Sequence, residues 1–176
     1  MILGGFTAAG ISLAVMSALF MRGSHEQALQ TFIASALSTL PIAIALICYA
    51  VAGYTGYQSP LTTGSIFAGI TIVLLMQIPG YAVGQELLEN DVAAAKVYCE
   101  SLIAPLDEYF NKHGHYPESI ESLLPTSERP HLLSKNFYHT TEDSGYSFEV
   151  YDPAELMGFY DYSSEKRKWT HWTFSD

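Results

Sequence analysis

The chain has 176 residues, eight Lys/Arg against eighteen Asp/Glu, a net charge of −10 and 49% hydrophobic residues. Residues 1–84 carry only Arg22 and Glu26, so the whole net negative charge lies in the remaining residues. Such a split separates an uncharged membrane part from an acidic aqueous part, and it argues against nucleic acid as a partner, because binding phosphates relies on Lys and Arg.

The first apolar run, Ile2 to Met21, has no basic n-region and is long enough to span a bilayer, so it reads as a retained transmembrane helix over about 2–22 rather than a cleaved signal. Gly10 and Ala14, with Ser12 and Ser17 nearby, are small residues suited to close helix contact. Arg22 to Gln27 form a polar connection, and a second charge-free run follows at about 31–53. Pro41 inside it should kink the helix, with Ser35, Ser38 and Thr39 close enough to serve the freed carbonyl. Tyr49, Tyr54 and Tyr57 gather at its far end as an interfacial aromatic belt.

The third run, about 62–84, ends in Pro79-Gly80-Tyr81-Ala82-Val83-Gly84. The Gly80–Gly84 spacing marks a helix-packing face or a bend at the membrane exit, and Gln77 is placed for an inter-helix hydrogen bond. None of the three runs holds a charged residue at depth. An ion-coupled carrier is therefore disfavoured, since such residues cost about 2.5–3.5 kcal/mol to insert and survive where they are used.

With no linker between, an amphipathic stretch follows in which Leu88, Val92, Ala95, Cys99, Leu102, Leu106 and Phe110 recur at steps of three and four. Pro105 should bend or interrupt this helix, and Gly114 should end it in a left-handed conformation. Pro117 is expected to open a short helix, PESIESLL, closed by Pro125. Thereafter the period changes to two. GYSFEVY (145–151), MGFYDY (157–162) and WTHWTF (169–174) read as three strands of an antiparallel meander whose aromatic face is covered by the amphipathic stripe. The expected fold is thus an α+β membrane protein: a three-helix transmembrane domain (1–84), whose third helix continues into an amphipathic helix on a three-stranded sheet (85–176).

The order of elements, together with the pattern Tyr109, His113-Gly114-x-Tyr116-Pro117-x-Ser119-Ile120-x-x-Leu123-Leu124, resembles the globular part of type II secretion pseudopilins and type IV pilin-like proteins over residues 62–174. The resemblance implies a pilin-like fold. It does not extend to prepilin processing, because Gly10 stands where the family's Glu would follow Gly5-Phe6-Thr7, the basic leader is missing, and two extra membrane helices precede the pilin-like part. It also places the soluble part in the periplasm of a bacterial inner-membrane protein. The positive-inside rule, resting on Arg22 and Lys96 alone, points weakly to the cytoplasm, and the periplasm is favoured.

No nucleophile elbow, phosphate loop or paired-carboxylate motif is present, so no catalytic or cofactor-binding residue is assigned. His113, His115, His131, His139 and His171 lack zinc-ligand spacing. Glu142, Asp143, Asp152 and Asp161 are the carboxylates to check for calcium, although no metal site is assigned. Cys48 and Cys99 read as small buried hydrophobes rather than a disulfide. Trp172 and the Lys166-Arg167-Lys168 turn are the candidate interaction surface, while Gly10, Ala14, Gln77, Gly80 and Gly84 are the candidate helix-packing residues. The expected role is non-enzymatic: a membrane-anchored domain that contacts the bilayer and a protein partner, whether an envelope component or a second copy. The alternative is an immunity protein neutralising a membrane-directed toxin.

Overall fold

The computed structural model describes residues 2–123, 128–141 and 145–173. Leu124, Pro125, Glu142, Asp143 and Phe174 lie outside them. The chain divides into two compact units, Met1–Leu87 and Leu88–Asp176. Three helical stretches, Leu3–Met21, His25–Thr55 and Ser59–His113, are long and apolar enough to cross a membrane.

In the first unit, α1 (Ile2–Met21) is followed by a short turn, α2 (His25–Leu37), α3 (Thr39–Thr55), α4 (Ser59–Leu75) and the start of α5 (Gln77–Ser101). Its 20 residues give α1 a length of about 30 Å, the thickness of a bilayer's hydrocarbon core. The second helix begins earlier than its apolar run suggests. Ser24 caps it by accepting from the Gln27 N–H, and Glu26 sits in the first turn, so the polar connection shrinks to Arg22–Ser24. The unit is held chiefly by α3 and α1 packing on α4.

Three prolines interrupt the helices by one rule. Pro41, Pro79 and Pro105 are each the third residue of a helix, and the interruption falls three residues upstream, at Ser38, Met76 and Leu102. Proline has no N–H for the carbonyl four residues back and its ring crowds that carbonyl, so regular bonding fails there and resumes in the next first turn, where free N–H groups are normal. All three joint residues keep right-handed helical angles, so the chain continues rather than reversing. At the first joint, Ser38 Oγ donates to Ser35 O at 2.6 Å and Thr39 Oγ1 to Ala36 O at 2.9 Å. The long third helix is therefore α4, α5 and α6 (Ile103–His113) in succession, and α5 runs through Gly84 unbroken.

The second unit is a helix-on-sheet domain. α6 ends at Gly114 (φ 77°), whose N–H bonds to Phe110 O at 2.8 Å; a side chain there would be strained. Over the described part of PESIESLL, residues 117–123, there is no α-helix, and Glu121–Leu123 make a single 3-10 turn. The sheet has four strands rather than three. β1 (Tyr138–Thr140), β2 (Tyr146–Asp152), β3 (Gly158–Ser163) and β4 (Lys168–Trp172) form an antiparallel meander in sequence order. The additional strand is three residues long and pairs only with β2, so it leaves no alternating pattern to read. Leu88, Val92, Ala95, Cys99, Leu102 and Leu106 are buried in one core with Tyr146, Phe148, Val150 and Tyr162 of the sheet and with Ile120, Leu132, Leu133 and Phe137 of the connection. Cys99, Leu106, Phe148 and Val150 are fully buried.

Candidate functional site

The two units bury opposite kinds of residue. In the helical unit the buried positions are Ala14, Ala18, Ala34, Ala45 and Ala52 with Gln27, Ser38, Thr71 and Gln77, while Phe20, Phe32, Leu40 and Leu46 are 77%, 71%, 67% and 64% exposed. In water this would be an apolar surface far beyond what a soluble monomer shows. In hydrocarbon it is the expected order: small residues let backbones approach, polar groups turn inward, and large aliphatic side chains face lipid.

The candidate helix-packing residues all sit in such contacts. A Cβ on Gly10 would lie 3.2 Å from Val73 Cα, and one on Gly80 would lie 2.9 Å from Ala14 O. A Cβ on Gly84 would collide with the Gln27 side chain. Gln77 is buried, but it makes no side-chain hydrogen bond among the described residues. Gln27 makes the inter-helix bond instead. Its Oε1 accepts from Gly23 N at 2.6 Å, and its Nε2 donates to Ser17 Oγ at 3.1 Å and reaches Gly80 O at 3.4 Å. Gln85 Nε2 adds a bond to Gly23 O at 2.5 Å. In the sequence Gln27 looks like the end of a polar connection, and only its position one turn inside α2, after an N-cap serine, hints otherwise.

In the second unit a polar cluster surrounds Asp152. Its Oδ1 accepts from Ala154 N at 3.0 Å, and its Oδ2 lies 2.8 Å from His171 Nε2, within hydrogen-bond reach. Tyr160 stacks on His171 with centroids 4.3 Å apart, and Lys96 Nζ lies 3.5 Å from the Tyr160 ring centroid. Trp169 Nε1 donates to Glu100 Oε1 at 2.9 Å. Each polar group here is engaged by another, and the cluster ties β2, β3 and β4 to the face of α5 that carries Lys96 and Glu100.

The opposite face of the sheet carries a different feature. Strand register places Tyr151 beside Phe159 and Phe159 beside Trp172, so three aromatic side chains form one row across β2, β3 and β4. Tyr151 is 52% and Trp172 46% exposed. The next row is Glu149, Asp161 and Thr170. Burial raises the Asp161 carboxyl above its ordinary value, against the opposing pull of His139 and Lys166. Trp172 therefore belongs to an aromatic row flanked by acid. The basic turn stands at the other end of β4, four residues or about 13 Å away, and does not join it. Within that turn Arg167 reaches Asp107 Oδ2 at 3.8 Å.

Other candidates are dispersed. His113 stacks on Tyr109 and its Nδ1 lies 2.9 Å from Tyr109 O, which serves the helix end; His131 pairs with Asp91 at 3.6 Å. Asp152 and Asp161 occupy opposite faces of the sheet, and among the described residues no group of three His, Cys, Asp or Glu could hold a metal ion. Cys48 and Cys99 are both free thiols. Comparison with protein-family models, curated proteins and solved structures gives no match.

Proposed function

We propose that the protein is an integral membrane protein whose helical unit spans the bilayer three times and whose α+β unit, held in water, binds a protein partner through the outer sheet face. The membrane half of this reading is carried by the inverted burial of the helical unit. The binding half is carried by the Tyr151–Phe159–Trp172 row, since exposed aromatics beside charged residues have the composition of an interface centre and its rim. A long helix ending at Gly114, a loop, and a meander packed on that helix also support the pilin-like reading of this unit. The location that goes with it is the periplasmic side of a bacterial inner membrane. The proposed role needs no chemistry: the polar groups around Asp152 satisfy one another.

Photocrosslinking tests the binding half. A photoreactive residue at Tyr151 or Trp172, in native membranes, should yield one discrete adduct, with a second copy or another envelope protein, that Phe159→Ala weakens. Adducts of equal yield from Glu155 or Lys135, or none from either aromatic position, would overturn it. A phosphatase reporter after Asp176 tests the side: activity is expected, and a silent fusion with a fluorescent cytoplasmic one would reverse the assignment.

A further inference from the structure

The groove between α1, α2, α4 and the start of α5 offers one buried group that the fold leaves unused. Its wall is formed by Leu13, Leu29, Ile33, Leu37, Val73 and Leu74, and its polar lining by Glu26, Gln30 and Gln77. The space measures about 510 Å³. Gln77 is 6% exposed and lines this space; its carboxamide makes no side-chain hydrogen bond among the described residues and is not fully enclosed, so the access it keeps opens on the groove.

We propose that this groove is a binding site for one phospholipid of the surrounding bilayer, of the class whose head group bears a primary amine. The placement of the polar groups matches the order of groups in such a molecule. Glu26 is the second residue of α2, just past the polar turn, where a head group lies; its carboxylate takes the ammonium as acceptor and counter-charge. Gln77 lies seven residues before Gly84, which packs against that same turn, so it is about 10 Å deeper, at the level of the ester carbonyls, to which its N–H₂ donates. Below it the aliphatic wall extends to Leu37, eleven residues or about 16 Å along α2 from Glu26, and takes one acyl chain. No Lys or Arg lines the groove, so an anionic head finds no counter-charge there. A quaternary ammonium head has the charge but no N–H to donate.

The site rests on the membrane reading, and the two fail differently. The test uses the full-length protein in mild detergent, with native mass spectrometry of adducts formed with phosphatidylethanolamine, phosphatidylcholine and phosphatidylglycerol of identical chains. The amine lipid is expected to bind about tenfold more tightly than the other two, the worth of one charge-assisted hydrogen bond. Glu26→Gln should abolish that preference, whereas Gln77→Leu should weaken all three lipids several-fold. Ile33→Trp, made at an exposed position and filling the wall, should displace the lipid even if Gln77→Leu does not fold. Equal retention of the three lipids, or a preference indifferent to Glu26→Gln and Ile33→Trp, overturns the site while the protein stays membrane-bound. Release of the wild-type protein from membranes by alkaline carbonate would instead overturn the membrane reading beneath it.

Discussion

Replacing Gln27 by Leu keeps the side-chain volume and removes every polar contact of the one carboxamide that links α1, α2 and α5 within the helical unit. The Gly23 N–H, bonded to Gln27 Oε1 at 2.6 Å, would be left buried without its acceptor, which costs about 1–3 kcal/mol. The bonds to Ser17 Oγ and Gly80 O, at 3.1 and 3.4 Å, add about 0.6 kcal/mol each, the average measured between membrane helices. A loss of about 2–4 kcal/mol is expected, because little cavity is created. Reversible unfolding in mixed micelles of mild detergent and dodecyl sulfate, followed by far-ultraviolet circular dichroism, measures it against Tyr54→Phe, a change at a residue 94% exposed. If Gln27→Leu costs no more than about 0.5 kcal/mol, as an inconsequential surface change does, Gln27 does not hold this bundle together.

Three further outcomes concern the second unit. Phe148→Ala, at a fully buried centre of the sheet, should destabilise it by about 3–5 kcal/mol in a denaturant melt, whereas Tyr151→Ala on the outer face should stay within about 0.5 kcal/mol; equal effects would mean the core is misplaced. Burial pushes Tyr138 up to about 12 and Tyr146 higher still, so the unfolded chain ionises first and stability should be intact below about pH 10 and fall as pH rises through 12. The tyrosinate absorbance of Tyr138 and Tyr146, isolated by comparison with their Phe variants, should then rise in step with unfolding, and its appearance near pH 10 with the fold intact would contradict this. Met157 is exposed and held at φ 63°, so Met157→Gly should raise the melting point by the equivalent of about 0.5–1 kcal/mol, and a lower melting point would refute the strain assigned there.

What could be read in advance was whatever depends on local spacing. The stripe from Leu88 to Leu106, the alternation of Tyr146, Phe148 and Val150, and the stop at Gly114 are periodic or conformational signals carried by neighbouring residues, and the core is built on them. Proline gave the interruptions, though not their common offset of three residues. Features joining distant residues were not legible. Gln27 meets Gly80 across 53 positions, and the Tyr151–Phe159–Trp172 row exists only once strand register is fixed, which the alternation of any single strand cannot do. β1 escaped notice because a three-residue edge strand buries too little to impose a pattern.

Cysteine accessibility in intact membranes addresses the division into lipid-facing and water-facing parts most directly. With Cys48 and Cys99 replaced by Ala, single cysteines at Phe32, Leu46 and Ile70, all exposed on the helical unit, should resist a water-soluble maleimide until detergent is added. Cysteines at Tyr151 and Leu156 of the second unit should react at once wherever the reagent reaches that side. Rapid labelling of the first set in sealed and in opened membranes alike would show that those side chains face water, and three spans could not then exist.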